Sequence, residues 1–156
     1  MAEQFKVVDL IESLVRLEQF GKRFYVKCAE KTEEVENKKF FNFLADQESR
    51  HEEIYKDLAS KYEGQQGIDN KYDEDYSAYL SALVNQSFDF DEDIDVNDFK
   101  VAMKRALGLE KDTIIFISEV ENILNSKDEV IEKIKEEERG HIRLINDYWN
   151  AHKDRA

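Results

Sequence analysis

Apolar residues recur at helical spacing in four long stretches of the chain. In each stretch they return every three to four residues, so the apolar side chains share one face of a helix. No segment shows the apolar and polar alternation that is typical of a strand. The pattern predicts four long helices, over about residues 10–31, 37–62, 98–125 and 127–153.

Two short connections and one long connection separate these helices. The short ones, near residues 32–36 and near Ser126, make the helices that they join antiparallel neighbours. The long one spans about residues 64–97 and contains a predicted short helix over residues 76–84. We therefore predict an all-α fold, a four-helix bundle with a long crossover between helices 2 and 3, in a single domain over residues 1–156.

Charged side chains interrupt the apolar faces near the middle of the helices. A buried carboxylate costs several kcal/mol unless it is paired or bound to metal. Glu48 and His51 are three residues apart, and so are Glu138 and His141, which puts each pair on one helix face. One Glu-x-x-His motif is usually chance, but two motifs at the same depth of two helices indicate a site.

A lone glutamate precedes each motif by a similar interval. Glu18 precedes Glu48 by 30 residues, and Glu110 precedes Glu138 by 28. In antiparallel helix pairs these positions fall at about the same height. The spacing thus predicts one buried centre with six metal ligands: Glu18, Glu48, His51, Glu110, Glu138 and His141.

The ligand set indicates which metal the centre would hold. Four carboxylates and two imidazoles suit iron or manganese better than zinc or copper. Four glutamates carry four negative charges, which two divalent ions would neutralise. We therefore predict a cofactor of two iron ions, with manganese as the alternative.

Residues beside the predicted ligands have two possible roles each. Tyr25 and Tyr55 lie one or two turns away, where they would hydrogen-bond the site or act in electron transfer; a core tyrosine with a satisfied hydroxyl is the commoner case. Gly21, Gly108 and Gly140 lie within three residues of ligands. They would leave room for metal, dioxygen or a moving carboxylate, or would allow close helix packing, and the sequence favours neither.

Composition excludes several classes of function. The chain has 36 acidic and 23 basic residues, a net charge of −13, which disfavours binding to nucleic acid. Its single cysteine excludes an internal disulfide framework and a four-cysteine metal site. The chain has no apolar stretch of the roughly 20 residues that span a bilayer, and its first residues lack a signal-peptide core. We expect a cytoplasmic protein that binds no membrane.

The segments around the predicted ligands resemble the rubrerythrin branch of the ferritin-like superfamily, over about residues 8–150. Four stretches carry the resemblance: residues 17–25 (LEQFGKRFY), 43–51 (FLADQESRH), 106–116 (ALGLEKDTIIF) and 137–141 (EERGH). The resemblance implies a ferritin-like bundle and a di-iron centre that reacts with peroxide or dioxygen, commonly in a homodimer. By this analogy Glu48 and Glu138 would bridge the metals.

The chain departs from that family in three places. Many members have a further glutamate where this chain has Thr113, and a tyrosine is often found where it has Ile117. Many also carry a rubredoxin module with paired Cys-x-x-Cys motifs, for which one cysteine is too few. An external electron donor, such as a rubredoxin, would then be needed.

The leading interpretation is a rubrerythrin-like di-iron oxidoreductase that reduces peroxide or reacts with dioxygen. Three alternatives remain: ferritin-type iron oxidation and storage, a non-enzymatic metal-binding module, and a manganese catalase-like protein.

Overall fold

Five α-helices make up most of the part of the chain that the computed structural model describes, residues 6–64, 74–87, 96–124 and 127–153. They are α1 (Val7–Lys31), α2 (Val35–Lys61), α3 (Glu74–Ser87), α4 (Phe99–Leu124) and α5 (Glu129–His152). α1 packs against α2 and α4, and α4 packs against α5. The predicted all-α fold is confirmed: the four long helices form the bundle, and α3 lies in the crossover between α2 and α4.

The helix starts differ from the predicted ones because of their capping groups. α1 begins at Val7, three residues before the predicted start, and the Lys6 backbone N–H donates to the carboxylate of Asp9 (3.0 Å). α5 begins at Glu129 rather than at residue 127, since Asp128 is its N-cap. Ser126, at the predicted connection between the last two long helices, lies outside the described residues.

The crossover helix is longer than the predicted residues 76–84. Its Leu80 is fully buried against the bundle, which fixes one face of α3 in the core. Tyr76 donates a hydrogen bond to Glu119, and the Asn122 side chain donates to the Tyr76 hydroxyl (3.2 Å). Both partners belong to α4, so α3 is held against the C-terminal half of that helix.

Two apolar clusters fill the described interior of the bundle, one toward each end. The first apolar cluster comprises Val7, Leu10, Ile11, Leu14, Leu17, Tyr55, Leu58, Tyr62, Leu80, Phe116, Ile117, Val120, Ile131 and Ile134. The second apolar cluster comprises Phe24, Tyr25, Cys28, Ala29, Phe40, Phe41, Leu44, Ala45, Val96, Ala102, Met103, Ala106, Leu109 and Ile145. Every long helix contributes to both clusters.

Between the clusters, each long helix carries buried polar side chains at the same depth. We call them the buried polar layer: Glu18 on α1, Glu48 and His51 on α2, Glu110 and Thr113 on α4, and Glu138 and His141 on α5. None of the helices in the described ranges is both long and apolar enough to cross a bilayer.

The carboxylate of Asp128 ties the start of α5 to the end of α2. One oxygen accepts the backbone N–H groups of Val130 (2.9 Å) and Ile131 (3.3 Å), and the other accepts from Lys61 (2.7 Å) and from the Tyr62 hydroxyl. Burial raises the pKa of Asp128, but these four donors outweigh it and lower that pKa to about 2.

We expect Asp128→Asn to lower the free energy of unfolding by about 1 to 2 kcal/mol at pH 7, because asparagine still caps the helix but loses the ion pair. This figure is below the free energy that corresponds to the full pKa shift, because Lys61 is more than half exposed and solvent screens its charge. The folded pKa lies below the unfolded value of 3.8. The stabilisation is therefore present above pH 3.8 and is lost as the pH falls towards 2.

Denaturant titration of the wild type and the variant at several pH values measures this difference. Asp98→Asn is the matched control, since Asp98 caps the Val101 N–H of α4 (3.2 Å) from an exposed position. A difference that does not shrink in acid would show that the Asp128 charge is not the cause.

Candidate metal centre

All six side chains predicted as ligands are buried in the one polar layer. Their exposed fractions are 0% for Glu18, His51 and Glu138, 2% for Glu110, 5% for Glu48 and 6% for His141. Ionisable groups are rarely buried to this degree unless they are paired or bind a metal. The folding of the four helices thus brings the six predicted residues to a common depth.

Five of the six offer ligand atoms close enough to share metal ions. One group consists of His51, Glu138 and His141, and the other consists of Glu48, Glu110, Glu138 and His141. Within each group the ligand atoms lie within 4.8 Å of one another. Glu138 and His141 belong to both groups, so the two potential metal positions adjoin.

Glu18 lies outside both groups but borders them. Burial raises its pKa well above the usual value, and the neighbouring charge of Glu48 raises it further. Both of its carboxylate oxygens are buried and have no hydrogen-bond partner among the described residues. Its role as a ligand therefore stays a prediction.

The two histidines face the centre with the same ring nitrogen. Their rings stack, with centroids 5.1 Å apart and planes inclined by 21°. The Nδ1 of His51 lies 2.8 Å from one oxygen of Glu138, and the Nδ1 of His141 lies 3.5 Å from the other oxygen. Glu138 therefore presents one oxygen to each histidine, which is the position that a bridging carboxylate would take.

Charge is distributed unevenly among the glutamates. Burial raises the pKa of Glu48, and it raises the pKa of Glu110 well above the usual value. Burial acts in the same direction on Glu138, but the contacts with His141 and then His51 outweigh it and hold that pKa below its usual value. Without metal, Glu138 is the carboxylate that stays ionised between the two imidazoles.

Unpaired polar atoms in the layer fit a metal. Buried atoms without a hydrogen-bond partner are Glu18 Oε1 and Oε2, Glu48 Oε1, His51 Nδ1, Glu138 Oε2 and His141 Nδ1. Each such atom costs about 1 to 3 kcal/mol. His51 and Glu138 nevertheless form a close ion pair across 2.8 Å. Carboxylate oxygens and imidazole nitrogens with free lone pairs are the donors that iron or manganese takes.

Both predicted tyrosines hydrogen-bond glutamates of the layer. The Tyr25 hydroxyl donates to Glu110 Oε1 (3.0 Å), and the Tyr55 hydroxyl donates to Glu138 Oε1 (3.2 Å). Burial, followed by the charge of that same glutamate, raises the pKa of each tyrosine well above 10.0. Both hydroxyls therefore stay protonated and act as donors, and their role in electron transfer stays a prediction.

Only one of the three glycines touches the layer closely. A methyl group at Gly21 would lie 2.7 Å from Glu48 Oε2, closer than real contacts allow. A methyl at Gly108 would meet open space, and one at Gly140 would come no nearer than 3.9 Å to Arg143. Room for a carboxylate therefore explains Gly21, whereas neither predicted role applies to the other two.

Thr113 occupies the remaining position of the layer on α4. It is 4% exposed, and its hydroxyl donates to the backbone carbonyl of Leu109 (3.0 Å). The hydroxyl is thereby tied to its own helix, and the position supplies no carboxylate to a metal.

Glu137 is a residue of the site that the sequence analysis missed. Its carboxylate lies 3.1 Å from His51 Nε2 and pairs with Arg50. A proton held on Nε2 by Glu137 would leave Nδ1 as the ring atom that a metal takes. Glu137 is only half-buried and out of phase with the apolar face of α5, so only the packing of α2 against α5 reveals the contact.

The comparisons with known proteins agree with this architecture. The rubrerythrin family model matches residues 9–149. A solved structure from Thermotoga maritima, provisionally described as a ferritin-like diiron-carboxylate protein, superposes with a TM-score of 0.62. It is 24% identical, with 94% of this chain and 96% of that chain covered, which confirms the ferritin-like fold. No curated protein matches the sequence.

We expect Gly21→Ala to weaken metal binding about tenfold, as changes around metal ligands commonly do. The added methyl must displace the Glu48 carboxylate, whereas alanine favours the helix over glycine by about 1 kcal/mol. Metal titration and denaturant unfolding of the metal-free chain separate the two effects. Gly108→Ala makes the same change in open space and should leave metal affinity unaltered. Equal affinities for both variants would contradict this role of Gly21.

We expect Glu137→Ala to remove the group that holds the His51 proton on Nε2, so that both tautomers form, and to weaken metal binding about tenfold. Imidazole ¹⁵N chemical shifts of the metal-free chain report the tautomer directly. Glu136→Ala is the control, because Glu136 pairs with Arg139 (2.8 Å) on the exposed face of the same helix. Unchanged His51 shifts in Glu137→Ala would show that Glu137 does not set the tautomer.

Proposed function

The chain belongs to the rubrerythrin family, and from that premise we propose that its buried polar layer binds two iron ions and reduces peroxide or dioxygen. The observation that carries the proposal is the set of six buried carboxylates and imidazoles, five of which have side-chain atoms without a hydrogen-bond partner. Two divalent ions would neutralise the four glutamates.

The proposed ligands divide by their positions in the layer. By analogy with the family, Glu48 and Glu138 would be shared between the two ions, and Glu138 has an oxygen toward each histidine. Glu18 and Glu110 would each bind one ion, and the two histidines would complete the coordination. A bound pair of iron ions would supply Lewis acidity and the electrons for cleavage of an O–O bond.

The protein around this centre would hold the ligands in place and limit water. Tyr25 and Tyr55 fix one oxygen each of Glu110 and Glu138 through hydrogen bonds. The two apolar clusters close the layer at both ends of the bundle. A polar layer with dry walls favours reaction at the bound metals over the release of reactive oxygen species.

Electrons for turnover would come from another molecule. Reduction of one hydrogen peroxide to two waters consumes two electrons and two protons. The single cysteine, Cys28, is buried, and burial raises the pKa of its thiol to about 12, so it would not serve as a redox thiol. We propose an external one-electron donor of the rubredoxin kind; the homodimer stays a prediction.

Metal binding without turnover is the second candidate function. Thr113 supplies no carboxylate, because its hydroxyl bonds to Leu109. The layer has one carboxylate fewer than the corresponding site of many relatives. One of the two metal positions would therefore be surrounded by less negative charge. This asymmetry favours a module that binds metal and reacts slowly or not at all.

We expect the wild type to bind about two metal ions per chain, as ferritin-like dinuclear bundles do, and Glu48→Gln with Glu138→Gln to bind fewer. The substitutions keep shape but remove two of the four charges. Elemental analysis after iron loading measures the stoichiometry, and peroxide consumption with an added reduced rubredoxin measures turnover. Glu53→Gln, on the exposed face of α2, is the control and should match the wild type.

The two readouts distinguish the candidates. Loss of both metals and peroxide consumption in the double variant supports the peroxidase. Two metals without consumption in the wild type would favour the binding module. An unchanged stoichiometry in the double variant would overturn the site assignment.

A further inference from the structure

A row of five aromatic rings runs from the buried polar layer to the C-terminal end of α5. Tyr25 stacks on Phe41 with ring centroids 6.5 Å apart, and Phe41 meets the edge of Phe40 at 5.6 Å. Phe40 stacks on Tyr148 at 3.8 Å, and Tyr148 stacks on His152 at 3.9 Å. We call this row the aromatic ladder: Tyr25, Phe41, Phe40, Tyr148 and His152.

The inner end of the aromatic ladder touches the buried polar layer directly. Tyr25 is fully buried, and its hydroxyl donates to Glu110 Oε1 (3.0 Å). A tyrosine loses one electron most readily when a base in hydrogen-bond contact takes its phenol proton, and a carboxylate oxygen is such a base. The inner end therefore joins an oxidisable ring to one of the proposed metal ligands.

The outer end of the aromatic ladder reaches solvent. The His152 side chain is 14% exposed, and its Nδ1 lies 2.8 Å from the backbone oxygen of Tyr148, which holds the two rings together. Phe99 also contacts the Tyr148 ring, with centroids 6.3 Å apart. His152 and Phe99 both line an open pocket of about 320 Å³. A molecule that reaches this pocket would lie against the outer end of the ladder.

The rings between the two ends are shielded from water. Phe40 is 8% exposed and Phe41 is 3% exposed, and both belong to the second apolar cluster. The rate at which an electron crosses a protein falls steeply with the gap between the groups that carry it. Packed aromatic rings divide a long gap into short steps, so this row is a favourable path between the pocket and Tyr25.

We propose that the aromatic ladder conducts single electrons between an external donor at this end of the bundle and the buried polar layer. Tyr25 gives one electron to a metal ion bound in the layer and its phenol proton to Glu110. An electron from the donor then passes through the rings to Tyr25, and the proton returns from Glu110. The donor is left oxidised by one electron. The inference rests on the proposed function and deepens it, because it names the face at which the donor acts.

A photo-oxidant attached at the outer end tests this route without iron. Ala151→Cys places an exposed thiol beside His152 for a ruthenium label, whereas the native Cys28 is 1% exposed and resists labelling. The full chain is stripped of metal, and zinc, which has no redox chemistry, is added if the metal-free chain loses its helices. A flash with a sacrificial electron acceptor oxidises the label, which then takes one electron from the chain. Absorbance and electron paramagnetic resonance measure the tyrosyl radical that remains.

We expect the radical to settle on Tyr25, because Glu110 takes its proton, whereas the Tyr148 hydroxyl donates to the amide oxygen of Asn37, which is not a base. Tyr25→Phe keeps the ring but removes the hydroxyl and should lower the radical yield severalfold. A yield that Tyr25→Phe leaves unchanged would overturn the proposal.

Phe40→Leu removes a ring of the aromatic ladder and should also lower the yield severalfold. Phe24→Leu is the matched control: Phe24 is 7% exposed, belongs to the same apolar cluster and contacts the Tyr25 ring (centroids 5.5 Å), but it lies outside the ladder. It should keep the wild-type yield. Equal yields in the folded forms of both variants would contradict the route, and if Phe40→Leu does not fold, Tyr25→Phe decides.

Metal stoichiometry of the unlabelled chain separates this proposal from the proposed function. A radical at Tyr25 in a chain that binds no metal would contradict the di-iron function and leave conduction along the aromatic ladder standing. Two metals per chain without a radical at Tyr25 would contradict only the ladder, whose rings would then serve packing alone.

Discussion

The removal of four carboxylates and two imidazoles from water is the constraint on which the rest of this structure depends. An ionised group in an apolar interior costs several kcal/mol unless it is paired. Here the pairing is incomplete: Glu138 contacts both histidines, but Glu18 and Glu48 keep oxygens without hydrogen-bond partners. Apolar clusters bound the layer on both sides. Metal ions would pair with these buried groups. The tyrosine hydrogen bonds and the space beside Gly21 would then hold the glutamates in position around the metals.

The two halves of the centre have the same arrangement of glutamates and histidines but differ in the residues around them. Each helix offers two positions three residues apart, and the motifs on α2 and α5 match. The lone glutamates of α1 and α4 are followed three residues later by different residues, Gly21 and Thr113. Gly21 makes room for Glu48, whereas Thr113 bonds to its own helix. His51 also gains support from Glu137 and Arg50. Such unequal surroundings would give two bound ions different affinities.

Periodicity was sufficient to predict the four long helices, and the Glu-x-x-His spacing was sufficient to single out the two motifs, because both are properties of a single helix. The matching intervals along the chain then added Glu18 and Glu110. Contacts between side chains of different helices could not be predicted from the periodicity or the spacing. The contact of Glu137 with His51 and the close approach of Gly21 to Glu48 follow from the packing of α2 against its neighbours. The start of α5 was placed two residues early because Asp128 caps it while bonded to the end of α2.

The central claim is that the buried polar layer binds two metal ions. Anomalous X-ray diffraction from crystals of the iron-loaded chain, measured on both sides of the iron absorption edge, tests it most directly. We predict two iron peaks about 3.5 to 4 Å apart, as in other two-metal sites, between Glu138 and the two histidines, with Glu18 turned toward them. A layer without anomalous peaks, with waters or protonated carboxylate pairs in their place, would contradict the account.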